Sequence, residues 1–96
     1  MKHFYIYKNN NLAAFDVEMA RPDYFYVGQF DDERQALDHL KDMWHSLIAE
    51  NRKLAYKLEI PLEINIEEVR DKYELMFEFR KALEFNSKLA FHALQK

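Results

Sequence analysis

The chain changes its hydrophobic period once, near Asp31. Before that point apolar and polar positions alternate; after it, apolar residues recur every three or four positions. The alternating part predicts three short strands. Phe4 and Ile6 lie on one side of the first, opposite Tyr5 and Tyr7. Asn9, Asn10 and Asn11 predict a turn, because asparagine tolerates the left-handed backbone that tight hairpins use. In the second strand Ala13, Phe15, Val17 and Met19 alternate with Ala14, Asp16 and Glu18. Ala20 to Asp23, with Pro22 among them, predict a second turn. In the third strand Phe25 and Val27 alternate with Tyr24 and Tyr26, and Gly28 marks a bulge or the strand's exit. Short loops imply antiparallel neighbours, so residues 1–30 read as a meander. One face should collect Phe4, Ile6, Phe15, Val17, Phe25 and Val27, and it needs a cover.

The cover is helical. Asp32 followed by Gln35 predicts a capping box, and helix one is expected over 31–60. Leu37, Leu40, Trp44, Leu47, Leu54 and Leu58 follow a 3,4 spacing flanked by Ile48 and Ala55, with Asn51 in the one polar slot. Asn51 either bonds a polar group on the second helix, with Ser87 and Arg80 as the candidates, or marks a kink, since a buried amide needs a partner. Pro61 stops helix one.

Helix two is expected over 65–95, capped by Asn65 with Glu68 and stapled by Ile64 on Val69. Its apolar arc is wider and runs from Val69 and Tyr73 through Leu75, Met76, Phe79 and Leu83 to Leu89, Ala90, Phe91 and Leu94. Phe77 and Phe85 rotate onto its polar side. Alternation over 62–66 leaves room for a brief fourth strand. The architecture expected is one α+β domain over 1–96, a three-stranded antiparallel β-meander followed by a long two-helix antiparallel hairpin packed on one sheet face.

Composition narrows the chemistry. A single glycine rules out phosphate-binding loops and dinucleotide fingerprints. No cysteine means no disulfide frame, thiolate nucleophile or thiolate metal site. Ser46 and Ser87 fall inside predicted helices, away from any strained turn that could present a nucleophile. Asp38, Asp42 and His45 share one side of helix one, but they lie opposite the leucine stripe, beside lysines, and read as a solvated face. His3, His39 and His92 have no sequence-local partners at ligand spacing. The chain is therefore expected to be no enzyme and to need no metal or cofactor. No apolar run is long enough to span a membrane, and the polar start does not resemble a secretory signal, so a cytoplasmic location is expected.

A net charge of −3 argues against a globally basic nucleic-acid binder. Binding to another protein remains. Tyr5, Tyr7, Tyr24 and Tyr26 alternate away from the apolar face and are joined there by Asp16 and Glu18. Tyrosines are enriched at interfaces and flanking acids select a basic partner. This open face is the expected docking site, with Phe77 and Phe85 as a second candidate surface. Single-stranded nucleic acid stacking on the same rings is the alternative, opposed by the acids; a small enzyme with an unmarked carboxylate pair is another. Short, motif-free chains that act by binding include inhibitors and accessory factors of phages and other mobile elements, which sets the class of role expected. Finally, helix two is long for its sheet, and the end carrying Leu89, Ala90, Phe91 and Leu94 predicts a homodimer through the helices.

Overall fold

The computed structural model describes residues 1–18, 24–64 and 69–95. The chain forms β1 (Lys2–Tyr7), β2 (Leu12–Phe15), β3 (Tyr24–Phe30), α1 (Glu33–Leu58) and α2 (Lys72–Gln95). Three antiparallel strands followed by two helices make the α+β architecture read from the sequence. The core joins Phe4, Ile6 and Val27 of the sheet to Leu40, Trp44 and Ile48 of α1 and to Met76, Phe79 and Leu89 of α2. Both helices therefore pack on the same side of the sheet.

The strand order is β2-β1-β3, so β1 and not β2 is central. β1 is the strand with large residues on both faces, with Phe4, Tyr5 and Ile6 all buried, which suits a strand flanked on both sides. The first turn sets the parity of β2. Tyr7 N–H donates to Asn11 O at 2.9 Å, Asn10 N–H donates to Tyr7 O at 3.0 Å, and Asn10 has φ 66°. The loop is thus Lys8-Asn9-Asn10, a turn closed by one left-handed residue. An odd-numbered loop pairs even residues with even and odd with odd, and the register obeys: Ile6 faces Leu12, Tyr5 faces Ala13 and His3 faces Phe15. Leu12 therefore packs toward the core, while Phe15 lies on the outer face, contrary to the expectation that Phe15 and Val17 point inward. Val17 lies beyond the end of β2 and is exposed. Met19 and the turn from Ala20 to Asp23 fall outside the described residues.

Gly28 is a bulge. Phe4 pairs with Gly28 and Tyr5 with Tyr26, so Val27 is the extra residue, and β3 continues to Phe30. Gly28 has φ 151°, and a Cβ there would meet the Phe30 ring at 2.7 Å. Only glycine lets that ring lie against the backbone.

α1 begins with the expected box. The Asp32 side chain accepts from Gln35 N–H at 2.9 Å, and Gln35 Oε1 accepts from Asp31 N–H at 3.2 Å. The helix runs unbroken through Asn51. Its buried seam is Ala36, Leu40, Trp44, Ile48, Asn51, Ala55 and Leu58, rotated from the leucine stripe so that Leu37, Leu47 and Leu54 are only half-buried. The end is a Schellman motif: Ile60 N–H donates to Ala55 O at 2.9 Å and Glu59 N–H to Tyr56 O at 3.2 Å, with Glu59 left-handed at φ 58°.

α2 begins at Lys72, later than the start expected at residue 65 or 66, because Val69 to Asp71 are not helical. A second capping box does the work. Asp71 Oδ1 accepts from Glu74 N–H at 2.8 Å, and Glu74 Oε2 accepts from Arg70 N–H at 3.1 Å. The expected cap at Asn65 and Glu68 falls outside the described residues, as does the end of the suggested fourth strand; residues 61–64 form no strand.

The later start changes the helical pair. Lys72 Nζ donates to Glu33 Oε1 at 2.7 Å, so the first turns of the two helices are neighbours. An antiparallel hairpin would place Lys72 by the end of α1, about 39 Å from Glu33 at 1.5 Å per residue. The helices instead run alongside in one direction, touching again where Asn51 Nδ2 donates to Ala82 O at 3.0 Å. The connector 59–71 makes the return; extended, it can span ~40 Å. Ile64 of this connector is buried and lines one small cleft with Phe85, part-way along α2.

Candidate functional site

The sheet face away from the helices carries a layer of rings. β1 sends His3, Tyr5 and Tyr7 to it, β2 sends Ala13 and Phe15, and β3 sends Tyr24 and Tyr26, as the cross-strand pairs require. Tyr5 is at the centre and is only 2% exposed, although α1 and α2 pack on the opposite face. Rings from both neighbouring strands close over it: Tyr26 at 5.0 Å between centroids, Phe15 at 5.8 Å and Tyr24 at 6.2 Å. Tyr7 meets Tyr24 edge-on at 4.2 Å and Phe15 at 6.1 Å. These are the tilted and T-shaped arrangements that ring quadrupoles favour. His3 Nδ1 and the Tyr26 hydroxyl share a hydrogen bond of 2.8 Å at one margin.

The four tyrosines of the expected site are thus brought together, but in different roles. Tyr5 is the floor and offers a partner almost nothing. Tyr26, 40% exposed, is the ring most open to contact. Asp16 and Glu18 are not strand residues, because β2 ends at Phe15. Both are exposed. Glu18 is still close enough to act on Tyr26: desolvation first, then the Glu18 carboxylate and Tyr5, raise the Tyr26 phenol above its ordinary value of 10.0. Phe15 and His3 are the members that the alternation pattern missed. The three-residue loop was the signal for Phe15, since loop length decides which parity of β2 faces out.

The second candidate surface divides. Phe77 is 49% exposed, but Phe85 is 6% exposed and belongs to the core. Phe85 lies three residues after Ala82 and four before Leu89, on the buried seam of α2, and the returning connector with Ile64 helps cover it. Asp38, Asp42 and His45 are all exposed on α1, and no group of three or more metal-ligating side chains converges among the described residues. No helix among the described residues is long and apolar enough to cross a membrane. Compared with models of protein families, with curated protein sequences and with solved structures, the chain has no match.

Proposed function

We propose that this chain is a non-enzymatic protein-binding module that docks a basic partner surface on the outer face of its sheet, in the manner of a small inhibitor or accessory factor. The observation that carries the reading is the continuous ring layer over Tyr5 with an acidic edge. Specific interfaces combine an aromatic, water-excluding centre with a polar rim. Here the rings are Phe15, Tyr24 and Tyr26 around Tyr5, and the exposed acids are Asp16 and Glu18, with Glu18 close enough to act on Tyr26 and neither acid paired with a cation among the described residues. Rim carboxylates orient a basic partner and speed its approach, while the rings supply affinity.

A second reading, stacking of single-stranded nucleic acid, gains one point from the strand order. With β1 central, the strand that lies between Phe15 and the pair Tyr24 and Tyr26 contributes Tyr5 and no carboxylate. The nearby acids, and the absence of a lysine or arginine on this face among the described residues, still weigh against phosphates.

Affinity capture from the native host, with and without nuclease, separates the two. A protein retained by the wild type should be lost with Tyr26→Ala, at a cost of about 2 kcal/mol. Asp16→Lys should slow its association and flatten the salt dependence. Retention that disappears on nuclease treatment transfers the face to nucleic acid. Unchanged affinity in both variants removes it as the site.

A further inference from the structure

At the other end of the sheet a cleft of about 790 Å³ opens where the β1–β2 turn, the start of β3 and α2 meet. Its volume lies in the range of small-molecule sites, roughly 300–1,000 Å³. Three cations line it, Lys8 from the turn and Arg80 and Lys81 from α2, against one lining carboxylate, Glu84. Lys81 also lies 3.4 Å from Glu78. Apolar wall is supplied by the exposed half of Phe77 and by Tyr24.

Arg80 gives the cleft its chemistry. The guanidinium is partly buried and donates from Nη2 to the Ile6 carbonyl of β1 at 2.9 Å, which fixes it at the junction of helix and sheet. Its Nε is buried without a hydrogen-bond partner among the described residues. Burial pushes this group below its ordinary pKa while Glu84 pulls it back, and an arginine stays protonated at neutral pH in either case. A cation withdrawn from water with a donor unmatched is costly. An anion brought into the cleft offsets that cost. The Lys81 ammonium stands 5.3 Å from the centre of the Phe77 ring, so a positive group and an open aromatic surface sit together.

We propose that this cleft binds a small organic anion, a phosphate or carboxylate group carried on a planar apolar body, with Lys8, Arg80 and Lys81 on the charge and Phe77 on the body. The same chemistry occurs in a free small molecule and in a phosphotyrosine side chain of a peptide. The site is distinct from the ring layer over Tyr5, with Tyr24 at the border of both.

Amide NMR of the whole chain titrated with phenyl phosphate tests it. Shifts should centre on Lys8, Phe77 and Lys81, saturating at or below about 10 mM. Lys8→Gln and Lys81→Gln should each weaken binding by about tenfold, the scale of one charge-assisted hydrogen bond. Phe77→Ala should weaken phenyl phosphate and leave inorganic phosphate unchanged, which separates ring contact from charge. A phosphotyrosine peptide binding at least ~10-fold tighter than phenyl phosphate makes a peptide the source, and equal binding makes it a free molecule. The cleft is rejected if phenyl phosphate produces no shifts, if uncharged phenol binds as well, or if both lysine variants bind like the wild type. Lys8 is exposed on the turn, so loss of fold does not cloud its variant.

Discussion

Asn51 of α1 donates from Nδ2 to the main-chain carbonyl of Ala82 on α2 at 3.0 Å, and this is a fully buried polar contact. Its Oδ1 is buried with no partner among the described residues. The amide is thus half satisfied: it fixes where α1 meets α2, and it leaves an acceptor that costs about 1–3 kcal/mol. Single buried asparagines hold helix register in coiled coils at a similar cost.

Asn51→Leu is accordingly expected to keep the fold and to raise stability by about 1 kcal/mol, since the orphan acceptor leaves with the amide. Asn51→Asp should lower it by about 3 kcal/mol or more, by placing a carboxylate against the Ala82 carbonyl. Urea midpoints of the three proteins give the order. A neutral outcome for Asn51→Asp would mean that the position is wetter than its burial implies. Light scattering on Asn51→Leu then shows whether losing the polar contact also loosens the choice of partner helix.

Glu59 closes α1 in the left-handed region, where a Cβ is disfavoured. Glu59→Gly should stabilise the chain by about 0.5–1 kcal/mol, while Glu59→Ala should gain only the few tenths that come from removing a negative charge at a helix C-terminus. Thermal melts of both variants distinguish backbone relief from charge. Equal gains would assign the whole effect to charge.

Tyr26 links the outer face to alkaline stability. Its phenol is raised above 10.0 in the folded chain by desolvation, Glu18 and Tyr5, so the folded state holds the proton more tightly than the unfolded state does. Above pH 10 the unfolded chain has lost a proton that the folded chain retains. Stability therefore falls with pH from there, and the contribution is gone once the folded pKa is passed. Tyr26→Phe should lose about 1 kcal/mol near neutrality with the His3 hydrogen bond, yet decline less steeply above pH 10. Urea unfolding across that window, with ultraviolet titration of the phenols, measures it. Parallel pH profiles would show that Tyr26 titrates as an ordinary surface tyrosine.

Self-association is expected at the far end of α2. That helix is about 36 Å long, against about 23 Å for the seven residues of β3, and the long axis of the molecule is 43 Å. Leu89 is taken up by the core, but Phe91 and Leu94 are exposed, Leu94 at 87%. A second copy laid over this end gives the simplest closed cover. Light scattering at micromolar concentration should report a dimer that Leu94→Lys converts to monomer. A wild-type mass of 11.7 kDa would end the idea.

Several features were fully legible in the residues. The change of period near Asp31 separates sheet from helices, Asp32 and Gln35 mark the start of α1, and Phe4, Ile6, Phe25 and Val27 point to the core. Asn51 had to find a partner and did, although the partner is a backbone carbonyl and neither Ser87 nor Arg80. These are relations within one turn or one strand, where covalent spacing alone fixes which side chains point together. The rest depended on contacts between distant segments. One residue of loop length turned Phe15 outward; the competition of β2 and β3 for the edges put β1 at the centre. The second capping box at Asp71 and Glu74 was present in the residues, but its consequence was not local. It lengthened the connector enough for α2 to start beside Glu33 and for Ile64 to lie near Phe85. Likewise Tyr5 alternates outward as the pattern requires, and the rings that meet it there come from two neighbouring strands that only the tertiary structure brings beside it.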